Sequence, residues 1–559
     1  MTASSHLIVA PVLVPLGAAA LMLLLGQARR NLQAGLNVAA TIVVLALAIA
    51  LLVRADAGEP QAIGVYLVAN WDVPFGIVLA ADRLAAVMLV LTAVIALCAL
   101  LYALARWQRA GVHFHPLFQL QLMGLNGAFL TADLFNLFVF FEVMLAASYG
   151  LLLHGSGAAR VRAGLHYIAV NLVVSSLFLV GVAILYGVTG TLNLADMASR
   201  VPLVATADRG LLHAGVAILG LAFLVKAAMW PLDFWLAPAY AAASAPVAAL
   251  FVILTKVGVY AVLRLWTLLL SAEAAASARF GGDALVYGGL ATLLFGAMAM
   301  LATQQVRRLA AFAVLVSSGT MLAAIGSASP ALVGAALFYL AGATLGGSAL
   351  FLLADLVERT RRSDEAVPLH DDRSDHLPFH LERTERDADT NLDDAEEALF
   401  GQAIPAAMAF LGLCFVACAV LVAGLPPLSG FLAKLAMLHA LLPDAGPAGA
   451  PGAQGWALFA LLIVSGLLAT LALMRAGIRY FWTPPGRAAP RLRAIETLPI
   501  AGLLGAAVAL AVLAGPALRY TSATSASLFA PQQYVDSIRM ATPRPGPTRL
   551  RTPLAQPHP

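Results

Sequence analysis

The dominant pattern along the chain is a series of apolar runs, each long enough to cross a lipid bilayer. About 20 apolar residues, at a rise of 1.5 Å per residue, span the hydrocarbon core. By this criterion the 559-residue sequence predicts an all-α integral membrane fold with about fourteen transmembrane helices. Their predicted limits are 7–25, 33–53, 78–104, 116–131, 133–153, 166–188, 211–230, 240–268, 284–302, 308–326, 331–357, 403–425, 455–475 and 497–516.

Charged residues between the apolar runs predict how the helices are oriented. The loops after the first, third, fifth, ninth, eleventh and thirteenth helices carry arginine, whereas the intervening loops are acidic, mixed or short. Because basic residues collect on the cytoplasmic side, this alternation predicts that both termini lie outside the cytoplasm, in the periplasm of a bacterial inner membrane. The inner-loop arginines are Arg29, Arg30, Arg106, Arg109, Arg160, Arg162, Arg307, Arg308, Arg359, Arg361, Arg362, Arg487, Arg491 and Arg493.

Composition supports the membrane assignment and excludes a soluble enzyme. The chain is 61% hydrophobic and only 11% charged, with a mean hydropathy of +0.88, whereas soluble domains average about 25% charged residues. The sequence contains no Walker A motif and no dinucleotide-binding glycine pattern. We therefore predict no cofactor, no metal and no nucleic-acid partner.

Two segments differ from the apolar spans. Residues 358–400 are dense in Arg, Asp, Glu and His, and this charge density favours a solvated cytoplasmic insert. Its histidines His370, His376 and His380 are an alternative metal site that the sequence favours less. The basic, Pro-rich tail 517–559 is predicted to be disordered.

Ionisable residues inside the spans are the main candidates for function. The whole chain has three lysines, Lys226, Lys256 and Lys434, and all three fall in or at the core end of apolar segments, while most of the arginines lie in loops. Arginine stays protonated at physiological pH, whereas a desolvated lysine can release its proton. This sorting predicts that the lysines carry protons.

Glu142 lies near the centre of the fifth predicted span. A charged group at mid-bilayer costs about 2.5–3.5 kcal/mol on insertion scales, so such residues are paired, protonated or wetted. A static Glu–Lys pair that fixes helix packing is the alternative interpretation. Four ionisable groups in one helical core favour a proton relay, which we define as Glu142, Lys226, Lys256 and Lys434.

Prolines predict that two helices are broken. Pro231 follows Lys226 by five residues, and Pro426 and Pro427 precede Lys434. Irregular backbone at membrane depth is tolerated only inside protein or beside a wet cavity, and a pair of interrupted helices in two halves of a chain is typical of repeated transporter folds. Two ordinary proline kinks are the alternative. Polar residues that could line a water wire, or only bond neighbouring helices, are His166, Ser317, Ser318 and Thr344.

Several motifs are specific enough to indicate a family. Asn136–Val143, which contains Phe-Phe-Glu-Val, together with 147–152, 166–172 and 185–193, resembles the D-type component of Mrp-type multisubunit cation/proton antiporters, also called Mnh or Pha. The stretches 226–232, 254–260 and 424–434 are typical of the wider group, which includes the antiporter-like pumping subunits of respiratory complex I. The resemblance covers about residues 75–480.

The resemblance implies an architecture and a path. Helices 4–8 would be repeated in inverted orientation as helices 9–13, with broken helices in both repeats. Glu142 and Lys226 would pair in one half-channel, and Lys256 would link to Lys434. The resulting segments are 1–115 (helices 1–3), 116–268 and 284–475 (the five-helix repeats), 358–400 (the insert), 476–516 (the last loop and helix) and 517–559 (the tail).

One departure from the family pattern concerns the eleventh helix. The resemblance predicts a histidine in the stretch 340–345, and Gly342 stands at that position. A link between Lys256 and Lys434 would then use water, Thr344 or serines.

The favoured function is the proton-translocating subunit of a Na⁺/H⁺ or K⁺/H⁺ antiporter, working with the A and C components of the antiporter and its small E, F and G components. The alternative is a proton-pumping, antiporter-like subunit of a respiratory complex I or membrane-bound hydrogenase, in which electron transfer would drive the protons. A scaffold without transport is disfavoured, because scaffolding needs no titratable core.

The loop pattern predicts that the 358–400 insert faces the cytoplasm. A Ser374→Cys variant should therefore resist a membrane-impermeant maleimide in intact cells and react after permeabilisation. Ala207→Cys, in a loop predicted to lie outside, is the matched control and should react in both states. Labelling of position 374 in intact cells would contradict the topology.

Overall fold

Helices make up nearly all of the computed structural model, which describes residues 6–57, 63–365, 406–442, 452–481 and 492–543. Nineteen α-helices occur in these ranges. The first ten are α1 (Ala10–Leu25), α2 (Arg30–Asp56), α3 (Arg83–Ala105), α4 (Phe114–Leu130), α5 (Leu134–Leu153), α6 (Ala158–Thr189), α7 (Leu194–Arg200), α8 (Arg209–Lys226), α9 (Leu236–Ala242) and α10 (Ala245–Leu269). The others are α11 (Gly282–Ala302), α12 (Val306–Gly326), α13 (Pro330–Glu365), α14 (Ala406–Ala423), α15 (Ser429–Leu441), α16 (Ala453–Phe481), α17 (Ala494–Val512), α18 (Ala514–Phe529) and α19 (Gln532–Arg539).

The predicted membrane fold is confirmed. Among the described residues, twelve helices are long and apolar enough to cross a membrane. Two further predicted spans coincide with α1 and α4, which have 16 and 17 residues. The division between the fourth and fifth helices falls where the sequence placed it, because Asp133 caps α5 by accepting a hydrogen bond from the Asn136 amide at 2.8 Å.

The helix breaks are longer than the sequence predicted. The span predicted at 211–230 ends at Lys226, and an irregular stretch then leads into α9 before α10 begins. The span predicted at 403–425 ends at Ala423, where Gly424 has a φ of +77° that favours glycine. A second half-helix, α15, follows this break and was not among the fourteen predicted spans.

A small β-hairpin adds to the all-helical expectation. Strands β1 (Gly64–Leu67) and β2 (Val78–Ala81) are antiparallel, with Gly64 opposite Ala81. The hairpin connects to the turn between α4 and α5, because the Ala132 amide donates to the Val78 carbonyl at 2.9 Å. These bonds satisfy the backbone groups of loops that interrupt the helical bundle.

Three helices form the centre of the bundle. Every residue of α10 is buried, and α12 and α13 are nearly as enclosed. The close approach of α11 to α12 depends on glycine, since a Cβ at Gly289 would lie 2.3 Å from the Ala323 nitrogen. Small residues at such crossings are the usual basis of helix packing in membranes.

The prediction of a disordered tail is wrong as far as residue 543. Helices α18 and α19 fold back on the bundle, and Ser525 Oγ donates to the Pro330 carbonyl at 2.7 Å. In α19 the apolar face is buried through Tyr534, Val535 and Ile538, which explains why a polar, proline-flanked segment is ordered. Residues 544–559, and residues 366–400 of the insert, lie outside the described residues.

Both predicted five-helix segments contain one interrupted helix, and it is the fourth in each. In 116–268 the interruption separates α8 from α9, and in 284–475 it separates α14 from α15. The inverted relation between the two segments stays a prediction.

The packing at the first break predicts a destabilising substitution. A Cβ at Gly258, on α10, would lie 2.5 Å from the Ala227 nitrogen, so Gly258→Ala should lower the stability of the detergent-solubilised protein by about 1–3 kcal/mol through overpacking. Gly220→Ala on α8 is the control, because no atom outside its own helix lies within 4 Å of the added Cβ. Thermal unfolding monitored by fluorescence measures both, and equal stability of the two variants would contradict this packing.

Candidate functional site

All three lysines that the sequence predicts as proton carriers are buried. Lys256 is 0% exposed, and Lys226 and Lys434 are 7% and 8% exposed. Lys226 is the last residue of α8, Lys256 lies in the middle of α10, and Lys434 lies in α15. Two of the three therefore belong to the interrupted helices.

Lys226 bonds to a neutral amide and not to Glu142. Its Nζ donates to Asn171 Oδ1 at 2.5 Å, and it lies 6.0 Å from the ring centroid of Phe141, the neighbour of Glu142 in the chain. Glu142 is half-buried and accepts a hydrogen bond from Ser175 Oγ. The direct Glu142–Lys226 ion pair expected from the resemblance is absent from the ion pairs of the described residues.

A single helix connects these two groups. Asn171 and Ser175 are one turn apart on α6, and side chains four residues apart share a helix face. The sequence contains both residues but gives no sign that they would separate the carboxylate from the ammonium. Helix α6 thus gives each member of the predicted pair a neutral polar partner.

Among the residues that the structure describes, the hydrogen-bond partners of Lys256 are all uncharged. Its Nζ donates to Ser317 Oγ at 2.6 Å and to Ser318 Oγ at 3.3 Å, and the Val314 carbonyl lies at 3.5 Å. All three acceptors belong to α12, so the two serines predicted as water-wire candidates contact the central lysine. Hydroxyls can accept from an ammonium and can also donate to a neutral amine.

Lys434 reaches back to the break that precedes its own half-helix. Its Nζ donates to the carbonyl of Ala423, the last residue of α14, at 2.9 Å. The carbonyl end of a helix carries partial negative charge, which favours a cation. Gly424 makes the approach possible, because a Cβ there would lie 2.6 Å from Lys434 Cδ.

The remaining predicted residues fall in different places. Thr344 is fully buried and donates to the Leu340 carbonyl at 2.5 Å. His166 is exposed on α6, and the centroid of its ring lies 5.6 Å from that of Phe234. It takes no part in the hydrogen bonds of the three lysines described above. Pro231 and the pair Pro426 and Pro427 lie inside the two interruptions.

The sequence analysis missed a buried ion pair. Arg264, on α10, forms two bonds of 2.7 Å with the Asp82 carboxylate, and its guanidinium lies 4.9 Å from the centroid of the Tyr534 ring. The sequence did contain a signal for this pair, because Arg264 lies inside an apolar run, where arginine is rare. This pair binds the C-terminal part of α10 to the start of α3 and to the C-terminal helix α19.

The groups of this site can gain and lose protons. Three amines have hydroxyl, amide or carbonyl partners, and a carboxylate lies near the first of them. Within the described ranges no group of three or more His, Cys, Asp or Glu side chains could hold a metal ion. Arg264, with its full carboxylate partner, provides the contrasting case of a fixed charge.

Comparison with known proteins identifies the family. A family model described as NADH:quinone oxidoreductase/Mrp antiporter, TM, matches residues 131–371. The chain is 51% identical over 545 residues to a probable K⁺/H⁺ antiporter component of the D type from Rhizobium meliloti, covering 97% of this chain and 98% of that protein. It is 29% identical over 540 residues to the D-type component of a Na⁺/H⁺ antiporter from Alkalihalophilus pseudofirmus, covering 96% and 99%.

A solved structure agrees with these relatives. One chain of the Mrp complex from Dietzia sp. is similar with a TM-score of 0.78 and 26% identity, covering 96% of this chain and 100% of that chain. Similarity therefore extends over nearly the whole chain. The chain belongs to the family of D-type components of multisubunit cation/proton antiporters.

Proposed function

We propose that this chain translocates protons in a multisubunit Na⁺/H⁺ or K⁺/H⁺ antiporter, along Glu142, Lys226, Lys256 and Lys434. The observation that carries the proposal is the environment of Lys256, which is fully buried and bonded only to two serines and a carbonyl. A carrier must exist in charged and neutral forms, and uncharged partners accommodate both.

The contrast with Arg264 supports this interpretation. Arg264 is also buried, at 6% exposed, but its charge is matched by Asp82 at 2.7 Å. Removing one partner of such a buried pair leaves an uncompensated charge at a cost of about 3–5 kcal/mol, so the pair is suited to structure. None of the ion pairs of the described residues includes a lysine, and Lys256 in particular can lose its proton without leaving a hydrogen-bonded carboxylate unpaired.

Each half of the chain contributes a lysine at a helix interruption. Lys226 ends α8, and Lys434 donates to the end of α14. Irregular backbone at membrane depth is tolerated where it lines a hydrated path. We infer that these interruptions give the two ends of the relay access to water, with Lys256 between them.

The cargo and the partners follow from the relatives. The Rhizobium meliloti protein is named for K⁺ and the Alkalihalophilus pseudofirmus protein for Na⁺, so we propose one of these two cations. The chain would act with the A, C, E, F and G components of the antiporter in a bacterial inner membrane, with both termini in the periplasm. As part of a transporter, it is not an enzyme.

The alternative is a pumping subunit of a respiratory complex I or a membrane-bound hydrogenase. The matching family model includes NADH:quinone oxidoreductases. The relative at 51% identity favours the antiporter. Cation-dependent proton flux in everted vesicles containing the full complex, without an electron donor, separates the two: flux supports the antiporter, and flux only with an electron donor supports the alternative.

Loss of the Glu142 charge should stop exchange. Glu142→Gln keeps the size of the side chain and an oxygen that can accept from Ser175, but removes the negative charge near Lys226. We expect exchange to be abolished at unchanged protein content in everted vesicles. Ser175→Ala should slow exchange, whereas Ser176→Ala, at an exposed position one residue along α6, should not. Near-normal exchange by Glu142→Gln would exclude a role in the relay.

Arginine should fail to replace Lys256. Lys256→Arg keeps the positive charge, but arginine does not deprotonate at physiological pH, so its exchange should be nearly as low as that of Lys256→Ala. Cation-induced recovery of a pH-sensitive dye, measured at matched expression, compares the variants with the unmodified protein. Substantial exchange by the arginine variant with little by the alanine variant would show that Lys256 only balances charge.

A further inference from the structure

A polar cavity opens on the face of the bundle that the loop charges assign to the cytoplasm. Its volume is about 420 Å³. Sites for small molecules usually measure roughly 300–1,000 Å³. The segment between α3 and α4, the start of α6, the end of α9, the start of α12 and the end of α13 form its wall. None of the four residues of the predicted relay lines it, so the cavity is a separate feature of the molecule.

Four arginines line the cavity, and three carboxylates of the described residues pair with two of them. The arginines are Arg106, Arg160, Arg307 and Arg359. Arg307 Nη2 lies 2.8 Å from Asp355 Oδ1, and Arg307 Nε lies 2.9 Å from Glu358 Oε2. Arg359 bonds to both oxygens of Glu496. This group of side chains therefore has one positive charge in excess.

The two other arginines, Arg106 and Arg160, take part in none of the ion pairs of the described residues. Arg160 Nε donates to the Ala242 carbonyl at 2.9 Å and Nη1 to the His154 carbonyl at 2.7 Å, which leaves the N–H groups of Nη2 for a ligand. The Trp107 ring lies beside both guanidinium groups, at 4.9 Å from that of Arg106 and 5.8 Å from that of Arg160. One aromatic ring thus positions two unmatched cations at the same cavity.

The start of α6 adds backbone donors to these arginines. Gly157, Ala158 and Ala159 line the cavity beside Arg160. Gly157 is the N-cap residue and supplies no side-chain cap, and amides in the first turn of a helix have no acceptor within the helix. The N-terminal end of a helix has a partial positive charge of about half a unit, which favours an anion.

These donors fit a tetrahedral oxyanion. Guanidinium groups and the amides at a helix start are the groups with which proteins commonly bind phosphate, because several oxygens can accept hydrogen bonds at once. A phosphate group near neutral pH has a charge of about −1 to −2. That charge matches the excess of one arginine together with the partial charge of the helix end.

We propose that this cavity binds a phosphate group, with Arg106, Arg160 and the first-turn amides of α6 as its donors. The phosphate belongs to a free ion or to the headgroup of an anionic phospholipid, and the same donors serve both. The bound group would connect the segment between α3 and α4 to α6. Because Arg160 also bonds to Ala242 at the end of α9, and Arg307 Nη1 donates to the Ala243 carbonyl at 3.4 Å, the site adjoins the connection that leads into α10.

Amide hydrogen exchange, read by mass spectrometry, tests the binding. The assembled complex in phosphatidylcholine nanodiscs is measured with and without inorganic phosphate at constant ionic strength, with chloride as the replacement anion. A bound phosphate should slow exchange in the peptide 156–162, because the free amides of α6 gain an acceptor. The peptide 282–286, at the start of α11 and outside the cavity, is the internal control and should not change.

A matched pair of variants tests the donors. Arg106→Gln removes one charged donor, so the phosphate concentration for half of the maximal slowing should rise about tenfold. Arg109→Gln removes the same charge from an arginine that is also exposed and lies in the same segment but does not line the cavity; it should leave that concentration unchanged. Identical behaviour of the two variants would overturn the proposal.

Nanodiscs that contain phosphatidylglycerol separate the two sources of the phosphate. If exchange in 156–162 is slow there without added phosphate, and Arg106→Gln makes it fast, the lipid headgroup is the ligand. If exchange stays fast until inorganic phosphate is added, the free ion is the ligand. If neither slows exchange in 156–162, the cavity is not a phosphate site. Hydrogen exchange does not measure transport, so each of these results leaves the proposed function unaffected.

Discussion

The cost of placing an amine in the membrane interior is the constraint on which the rest of this structure depends. An ammonium there needs acceptors, and a neutral amine needs donors, so a carrier requires partners that serve both forms. Serine hydroxyls can do both at Lys256 and a side-chain amide can do both at Lys226, whereas the helix-end carbonyl at Lys434 only accepts. The central helices are arranged around these contacts.

The interrupted helices follow from the same constraint. A continuous helix uses its carbonyls internally, and only an end exposes acceptors to a side chain. Because α14 ends at Ala423, the carbonyl of this residue is available to Lys434. Gly424, which has no Cβ, allows the aliphatic part of the Lys434 side chain to pack against the backbone at the break. At the first break the backbone of Ala227 packs on Gly258, two residues from Lys256. Each interruption thus combines a lysine, an accessible backbone and a glycine.

Fixed charges and carriers are separated within the same bundle. Arg264 and Asp82 satisfy each other and fix α10 to α3, while Arg307 and Asp355, 2.8 Å apart, connect α12 to α13. Removing either partner of such a pair would leave a buried charge without its counter-ion and would destabilise the fold. They fix the helices that position the lysines, so the positioning charges and the residues that we propose as proton carriers are different.

The sequence by itself determined the membrane fold, most of the helix limits to within a few residues and the burial of the three lysines, but not α15 or the Arg264–Asp82 pair. Hydropathy and charge are properties of each residue in the bilayer, and they need no tertiary contact to act. The pairing of particular side chains, in contrast, depends on tertiary contacts. Tertiary structure alone decided that Lys226 bonds to Asn171 and Glu142 to Ser175, that His166 faces outward and that Ser429 lies against Gly342. It also ordered the tail, since the apolar face of α19 becomes stable only against the helices it covers. Such contacts depend on the rotation and register of each helix, which the hydrophobicity of a segment does not determine.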